Sequence, residues 1–159
     1  MKRAILAAAL LLVGTPLSAQ SAGTTYIHAG RLLDQPGQAP RGPSTIIVRE
    51  GKVAEVRDGF VVPEADARLV DLKTQFVLPG LIDMHVHISS DDNLLRSRLE
   101  GPGRDVEDVF VIAQNNARLT LEAGFTTVRD LGGDGRTTAT LRDAINNGVI
   151  VGPTIIPAG

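Results

Sequence analysis

Three side chains within one short apolar run can do chemistry together. Asp83, His85 and His87 alternate with hydrophobic residues in Gly80-Leu81-Ile82-Asp83-Met84-His85-Val86-His87-Ile88. In a β-strand alternate side chains share a face, so the spacing predicts Asp83, His85 and His87 on one side and Ile82, Met84, Val86 and Ile88 on the other. Two imidazoles two residues apart on one face can share a metal ion, each through a neutral ring nitrogen, and zinc suits such ligands. Asp83, one step earlier, is placed to support a ligand from outside the metal's own shell or to pair with a neighbouring cation. From spacing alone, a pair of hydrogen-bonded core histidines beside a buried acid explains the residues equally well. A metal site usually takes at least three protein ligands.

The elements around this run divide at residue 79. Upstream, Ser44-Thr45-Ile46-Ile47-Val48-Arg49-Glu50 and Val53-Ala54-Glu55-Val56-Arg57 are β-rich and meet at Gly51-Lys52, a hairpin signal. Arg68-Leu69-Val70-Asp71-Leu72 and Gln75-Phe76-Val77-Leu78 read as two further short strands, and a first strand lies around 26–33. Prolines and glycines at 36, 37, 40, 42 and 43 mark the loop that follows that first strand. Downstream, the strand at 80–88 is followed by a polar loop over 89–104 and a helix over about 105–123. Val106, Val109, Phe110, Ala113, Ala117 and Leu121 recur there at helical spacing. Asp105 with Asp108 three residues later reads as its N-terminal cap, and Gly124 as its stop. A strand at 126–131, a glycine-rich loop, a helix over 137–147 and a strand at 154–156 complete the order β-α-β-α-β. That order implies parallel strands joined by helical crossovers. Parallel α/β folds carry their sites at the C-terminal strand ends, where the two histidines fall.

Phe76-Val77-Leu78-Pro79-Gly80-Leu81-Ile82-Asp83-Met84-His85-Val86-His87 resembles the signature of the metal-dependent amidohydrolase superfamily, in which a His-x-His pair closes the first strand of a (β/α)8 barrel. Gly124-Phe125-Thr126-Thr127-Val128-Arg129-Asp130 with Gly132-Gly133 resembles the second barrel strand of its imidazolonepropionase-like and Xaa-Pro-dipeptidase-like branch. The hairpin through Val48, Gly51, Lys52 and Val53 resembles the small N-terminal β-sandwich of that family. The fold class this implies is α/β, the start of a TIM barrel of about three strands preceded by a β-sandwich segment.

The resemblance further implies hydrolysis of an amide or related C–N bond, with His85 and His87 holding a divalent ion, zinc by preference, alone or beside a second. Such an ion lowers the pKa of a bound water to about 7 and polarises the scissile carbonyl. The family's other ligands, a carboxylated lysine, two histidines and an aspartate that is also the general base, belong to later strands, expected beyond Gly159. A closed barrel takes about 250 residues, so the chain reads as the N-terminal piece of a longer enzyme, inactive by itself. Its remaining histidine, His28, reads as structural. A cyclic-amide hydrolase or deaminase with the same metal site is the rival enzyme, and a non-catalytic short product the rival of another class. An apolar final strand left unpaired at an edge argues against the short product.

Arg129 and Asp130 end the second barrel strand, and only one of them can face the barrel interior. Val128 prefers the helix side, which directs Arg129 to the pocket, where it can meet a substrate carboxylate in bidentate fashion. An ion pair steadying the rim explains the two residues equally well. Asp91 and Asp92, after the histidines, read as helix caps ahead of Asn93-Leu94-Leu95 rather than as ligands. Gly132, Gly133 and Gly135 do not form a nucleotide-binding pattern, and nothing around Ser89 and Ser90 resembles a nucleophile elbow.

Composition narrows the class further. Of 159 residues, 43% are hydrophobic and 21% charged, which excludes a disordered chain and a multi-span membrane protein. Zero cysteines exclude disulfides and thiolate metal sites, and a net charge of −2 gives no support for a nucleic-acid partner. Lys2 and Arg3, the ten-residue apolar run 4–13, Pro16 and the small residues Ser18, Ala19, Ser21 and Ala22 read as a secretory signal cleaved between Ala19 and Ala22. An uncleaved membrane anchor is the other reading of that run. The expected organisation is therefore a signal at 1–22, a sandwich segment at 23–78 and the barrel's opening βαβαβ at 79–159. The expected protein is periplasmic or secreted, off the membrane after processing and acting on a small-molecule or peptide substrate, and a homo-oligomer is compatible with it.

Overall fold

A computed structural model of the chain describes residues 23–90, 93–133 and 135–158. The signal read over 1–22, and Asp91 and Asp92, lie outside the described residues. The chain forms two compact units, one ending at Leu78 and the other starting at Pro79.

The first unit is a four-stranded sheet in the order β3-β2-β1-β4. Strands β1 (Thr25–Leu32), β2 (Ser44–Arg49) and β3 (Lys52–Asp58) pair antiparallel in sequence, whereas β4 (Arg68–Val77) lies parallel to β1. The β2–β3 hairpin turns on Glu50 and Gly51, both at positive φ (50° and 74°), the twist that matches two right-handed strands. Because β3 and β4 occupy opposite edges, residues 59–67 must cross one face of the sheet. They are tied down there: the Thr45 hydroxyl donates to the Gly59 carbonyl at 2.7 Å and accepts from the Val61 N–H at 2.9 Å. The His28 ring is buried beneath the crossing, its Nε2 2.8 Å from the Val61 carbonyl and its ring 5.2 Å from that of Phe60. Ala29, Leu32 and Ile46 form a buried cluster with Ile27, Val48, Val56 and Val77 packed against it. The described residues of this first unit thus make one sheet, with an irregular segment rather than a second sheet over one face. The two short strands expected over 68–78 are a single strand. It stays paired with β1 across an irregularity in which Ala29 meets Leu72 but Arg31 meets Phe76.

The second unit is a parallel sheet in the order β5-β6-β7, with strands Leu81–Val86, Phe125–Asp130 and Thr154–Pro157. Helix α2 (Val106–Glu122) links β5 to β6, and α3 (Gly135–Asn146) links β6 to β7. Asp105 caps α2 as its spacing predicts. Its carboxylate accepts from the Asp108 N–H at 3.1 Å, and the Asp108 carboxylate accepts from the Asp105 N–H at 3.3 Å. The apolar stripe of α2 and the Leu141 face of α3 bury Ala113, Ala117, Val128, Leu141, Ile155 and Ile88 in one core. The loop expected over 89–104 contains the short helix implied by caps ahead of Asn93-Leu94-Leu95, α1 (Leu94–Glu100), followed by a 3-10 turn at Gly101–Gly103. Its cap is Asn93, which accepts from the Arg96 N–H at 2.9 Å. Among the described residues no helix is long and apolar enough to cross a membrane.

Leu141→Ala should lower the stability of the second unit by about 2–5 kcal/mol through lost burial and the cavity left behind. Leu99→Ala, at a side chain 74% exposed, should stay within about 0.5 kcal/mol. Denaturant unfolding of the two variants checks this, and equal effects would contradict the assigned core.

Candidate metal centre

The pairing of β5 with β6 decides where the candidate ligands stand. Ile82 lies opposite Thr127 and Asp83 opposite Val128, but the next pair is Val86 with Asp130. Met84 and His85 therefore both face the single residue Arg129, the two-against-one arrangement of a bulge. Laterally paired residues point to the same side of a sheet. Asp83 thus shares the side of Val128, which is fully buried against the helices, and the extra residue returns Val86 to that side. His85 is left on the opposite face. The single-face row expected of Asp83, His85 and His87 is broken, because one strand's alternation says nothing about a bulge set by its neighbour. The strand also ends at Val86, so His87 lies just past it. The Asp83 carboxylate turns along its own chain and accepts the His85 backbone N–H at 2.9 Å. Ile82 and Met84, expected beneath the crossover helices, are 62% and 56% exposed.

The bulge brings the two imidazoles together. Their Nε2 atoms are 3.4 Å apart, and the rings lie within 25° of parallel with centroids 5.4 Å apart. That separation exceeds a good N–H···N hydrogen bond. It matches the ~3.3–3.4 Å between two nitrogens each held ~2.0–2.1 Å from one tetrahedral ion. Both rings are solvent-exposed. No third His, Cys, Asp or Glu joins them in a metal-sized cluster among the described residues.

Backbone and side-chain contacts from two other elements fix the turn that carries His87. The Leu131 N–H donates to the Val86 carbonyl at 3.0 Å, and the Ser90 N–H to the His87 carbonyl at 3.0 Å. From α2, the Asn116 amide donates to the carbonyls of Ile88 and Ser90, both at 2.9 Å. Gly132 lies against the His87 ring so closely that a Cβ there would sit 2.3 Å from Cε1 and Nδ1. Asn116 escaped the sequence reading. Its one signal is an asparagine, a weak helix former, inside an otherwise strong helical stretch.

The amidohydrolase family profile matches residues 76–159, more than half of the chain and all of the second unit. The chain belongs to the amidohydrolase family. The crystal structure of a Xaa-Pro dipeptidase with methionine bound in its active site superimposes with a TM-score of 0.78 at 33% identity, covering 86% of this chain and 33% of that one. Ochratoxinase of Aspergillus niger is 29% identical over 89% of this chain and 29% of its own. A dihydroorotase of Anaeromyxobacter sp. (strain K) is 35% identical over 103 residues, which is 65% of this chain and 20% of the relative. This amidohydrolase chain therefore spans between a fifth and a third of the relatives it matches.

Within the amidohydrolase chain, the end of β6 splits its two polar residues between faces. Val128 and Asp130 are buried on the helix side, and Arg129, between them, is exposed on the other. Opposite faces keep Arg129 and Asp130 from pairing across the rim. Asp130 instead accepts from the Gly132 N–H at 3.0 Å and from the Thr138 hydroxyl at 3.1 Å. His28 is buried in the first unit under residues 59–67, as described above.

Asp83→Ala removes the acceptor for the His85 amide. A net loss of about 1 kcal/mol should speed hydrogen exchange of that amide about fivefold by NMR. Unchanged exchange would show that the Asp83 contact does not hold the strand that carries His85.

Proposed function

We propose that the chain is the opening portion of a metal-dependent hydrolase that cleaves carbon–nitrogen bonds, of the dipeptidase-like branch. Its three parallel strands are the first three of a (β/α)8 barrel, and its four-stranded sheet is one layer of a small β-sandwich. The domain boundary lies at 78/79, and a signal over 1–22 directs the protein to the periplasm or outside the cell. His85 and His87 hold one divalent ion through Nε2, zinc being the metal that two imidazoles suit best. The chemistry such an ion supplies is a water of lowered pKa, about 7, and polarisation of the scissile carbonyl. Asp83 supports the site by fixing the His85 backbone. Arg129, on the histidine face of the sheet, binds a carboxylate of a small peptide substrate.

The observation that carries this reading is the 3.4 Å between the two Nε2 atoms, a spacing suited to a shared tetrahedral ion. The branch is supported by coverage. Structural likeness to the Xaa-Pro dipeptidase extends over 86% of the chain at 33% identity. The dihydroorotase relatives nonetheless favour a second reading, a hydrolase of cyclic amides built on the same pair of ligands.

In the full-length protein, His85→Ala with His87→Ala should remove one equivalent of tightly held metal after dialysis and reduce turnover of a dipeptide panel to background. Undiminished metal content would overturn the ligand assignment. Turnover of cyclic amides but not dipeptides by the parent protein would overturn the branch and leave the metal site standing.

A further inference from the structure

Asp130 is an acid 3% exposed that the reaction proposed above does not use. A carboxylate taken out of water is costly unless its oxygens are satisfied. Here one oxygen accepts the Gly132 N–H at 3.0 Å and the other the Thr138 hydroxyl at 3.1 Å, with Thr138 itself buried on α3. The bond to Gly132 ties the backbone just after β6 to the side chain of the strand's last residue. The Leu131 N–H on the Val86 carbonyl and the Ala158 N–H on the Asp130 carbonyl, at 3.0 and 2.9 Å, stitch the same loop to both neighbouring strands.

What that loop presses on is the candidate ligand. Gly132 backs the Nδ1–Cε1 edge of His87, leaving Nε2 toward His85, and any side chain at 132 would collide with the ring. Gly133, at φ 141°, packs as closely on Ser89, where a Cβ would meet the hydroxyl oxygen at 2.2 Å. Two successive glycines thus form a flat wall behind the His87 turn, and Asp130 sets the position of that wall.

We infer that Asp130 is a positioning residue for the metal ligand His87, acting through the Gly132 backbone, with Thr138 orienting its carboxylate. The inference rests on the reading of His85 and His87 as metal ligands. Groups that orient a ligand in this way affect metal affinity about 10- to 100-fold when removed. Asparagine at 130 keeps an oxygen for the Gly132 N–H, and the Thr138 hydroxyl can rotate to accept from its amide, so the conservative change retains the wall.

The test is zinc affinity of the full-length protein by chelator competition, with thermal unfolding recorded for each variant. Asp130→Ala and Gly132→Ala should each raise the zinc Kd about 10- to 100-fold, and Asp130→Asn should restore it to within about threefold. Leu141→Ala, which loosens the same core without touching the loop, should lower the unfolding temperature and leave the Kd within about twofold. Folded Asp130→Ala and Gly132→Ala proteins that bind zinc like the parent would overturn the inference, as would a Kd that merely tracks stability across all variants, Leu141→Ala included. If Asp130→Ala does not fold, Gly132→Ala and Thr138→Val carry the same test. The His85→Ala, His87→Ala protein serves as reference. If it keeps its zinc, the ligand assignment itself falls, and if it loses zinc while the loop variants do not, only the role of Asp130 falls.

Discussion

The lateral pairing of two parallel strands positions every group in the candidate site. After a first shift between Leu81 and Ile82, β5 runs in step with β6 through Ile82 and Asp83. One additional residue is then accommodated before Val86 meets Asp130. That offset turns His85 away from the helix-packed side while keeping Val86 and Ile88 in the core. It also ends the strand where the Leu131 N–H can close on the Val86 carbonyl. A ladder without the bulge would place Asp83 and His85 on the same face and reverse one of them relative to the helices. The hydrophobic core and the imidazole geometry are therefore one constraint. Burial of Val128, Val86 and Ile88 fixes the sheet's orientation, and the bulge uses that orientation to present the imidazoles.

Around this register the chain spends polar contacts on backbone rather than on the imidazoles. Asp83 holds the His85 N–H, Asn116 holds the two carbonyls flanking Ser89, and Asp130 holds the Gly132 N–H. Each binds a main-chain group of a loop or bulge that no regular ladder would satisfy, which is where unpaired polar groups are costly. The rings themselves are left with their Nε2 atoms 3.4 Å apart and open to solvent. Rigid backbone with exposed donor atoms is the arrangement expected of a site that must accept an ion without rebuilding itself.

Local features of this fold were legible in the sequence. The capping box of α2 needs only Asp105 and Asp108, and the β2–β3 hairpin needs only a turn that tolerates positive φ. The β-α-β-α-β order and the Val128 side of β6 followed from hydrophobic pattern, and the family from the motif around His85 and His87. What the pattern missed depends on partners distant in sequence. The bulge in β5 exists only against β6, so alternation placed Asp83 with the histidines when its carboxylate belongs to the His85 backbone. Strand β4 looked like two strands because Lys73 and Thr74 interrupt it, yet pairing with β1 carries it through. Helix α1, seven residues long and followed by Gly-Pro-Gly, is too short for periodicity to register. The bonds made by Asn116 and Asp130 needed the folded loops to exist before either residue had a partner.

On the function proposed above, His85 and His87 share one ion through their Nε2 atoms. An anomalous-difference map at the zinc edge, from zinc-loaded crystals of the full-length protein, tests it directly. The expected result is one peak about 2.0–2.1 Å from both Nε2 atoms. A zinc-loaded crystal with no peak there, or with a peak on one ring only or on Nδ1, would contradict it.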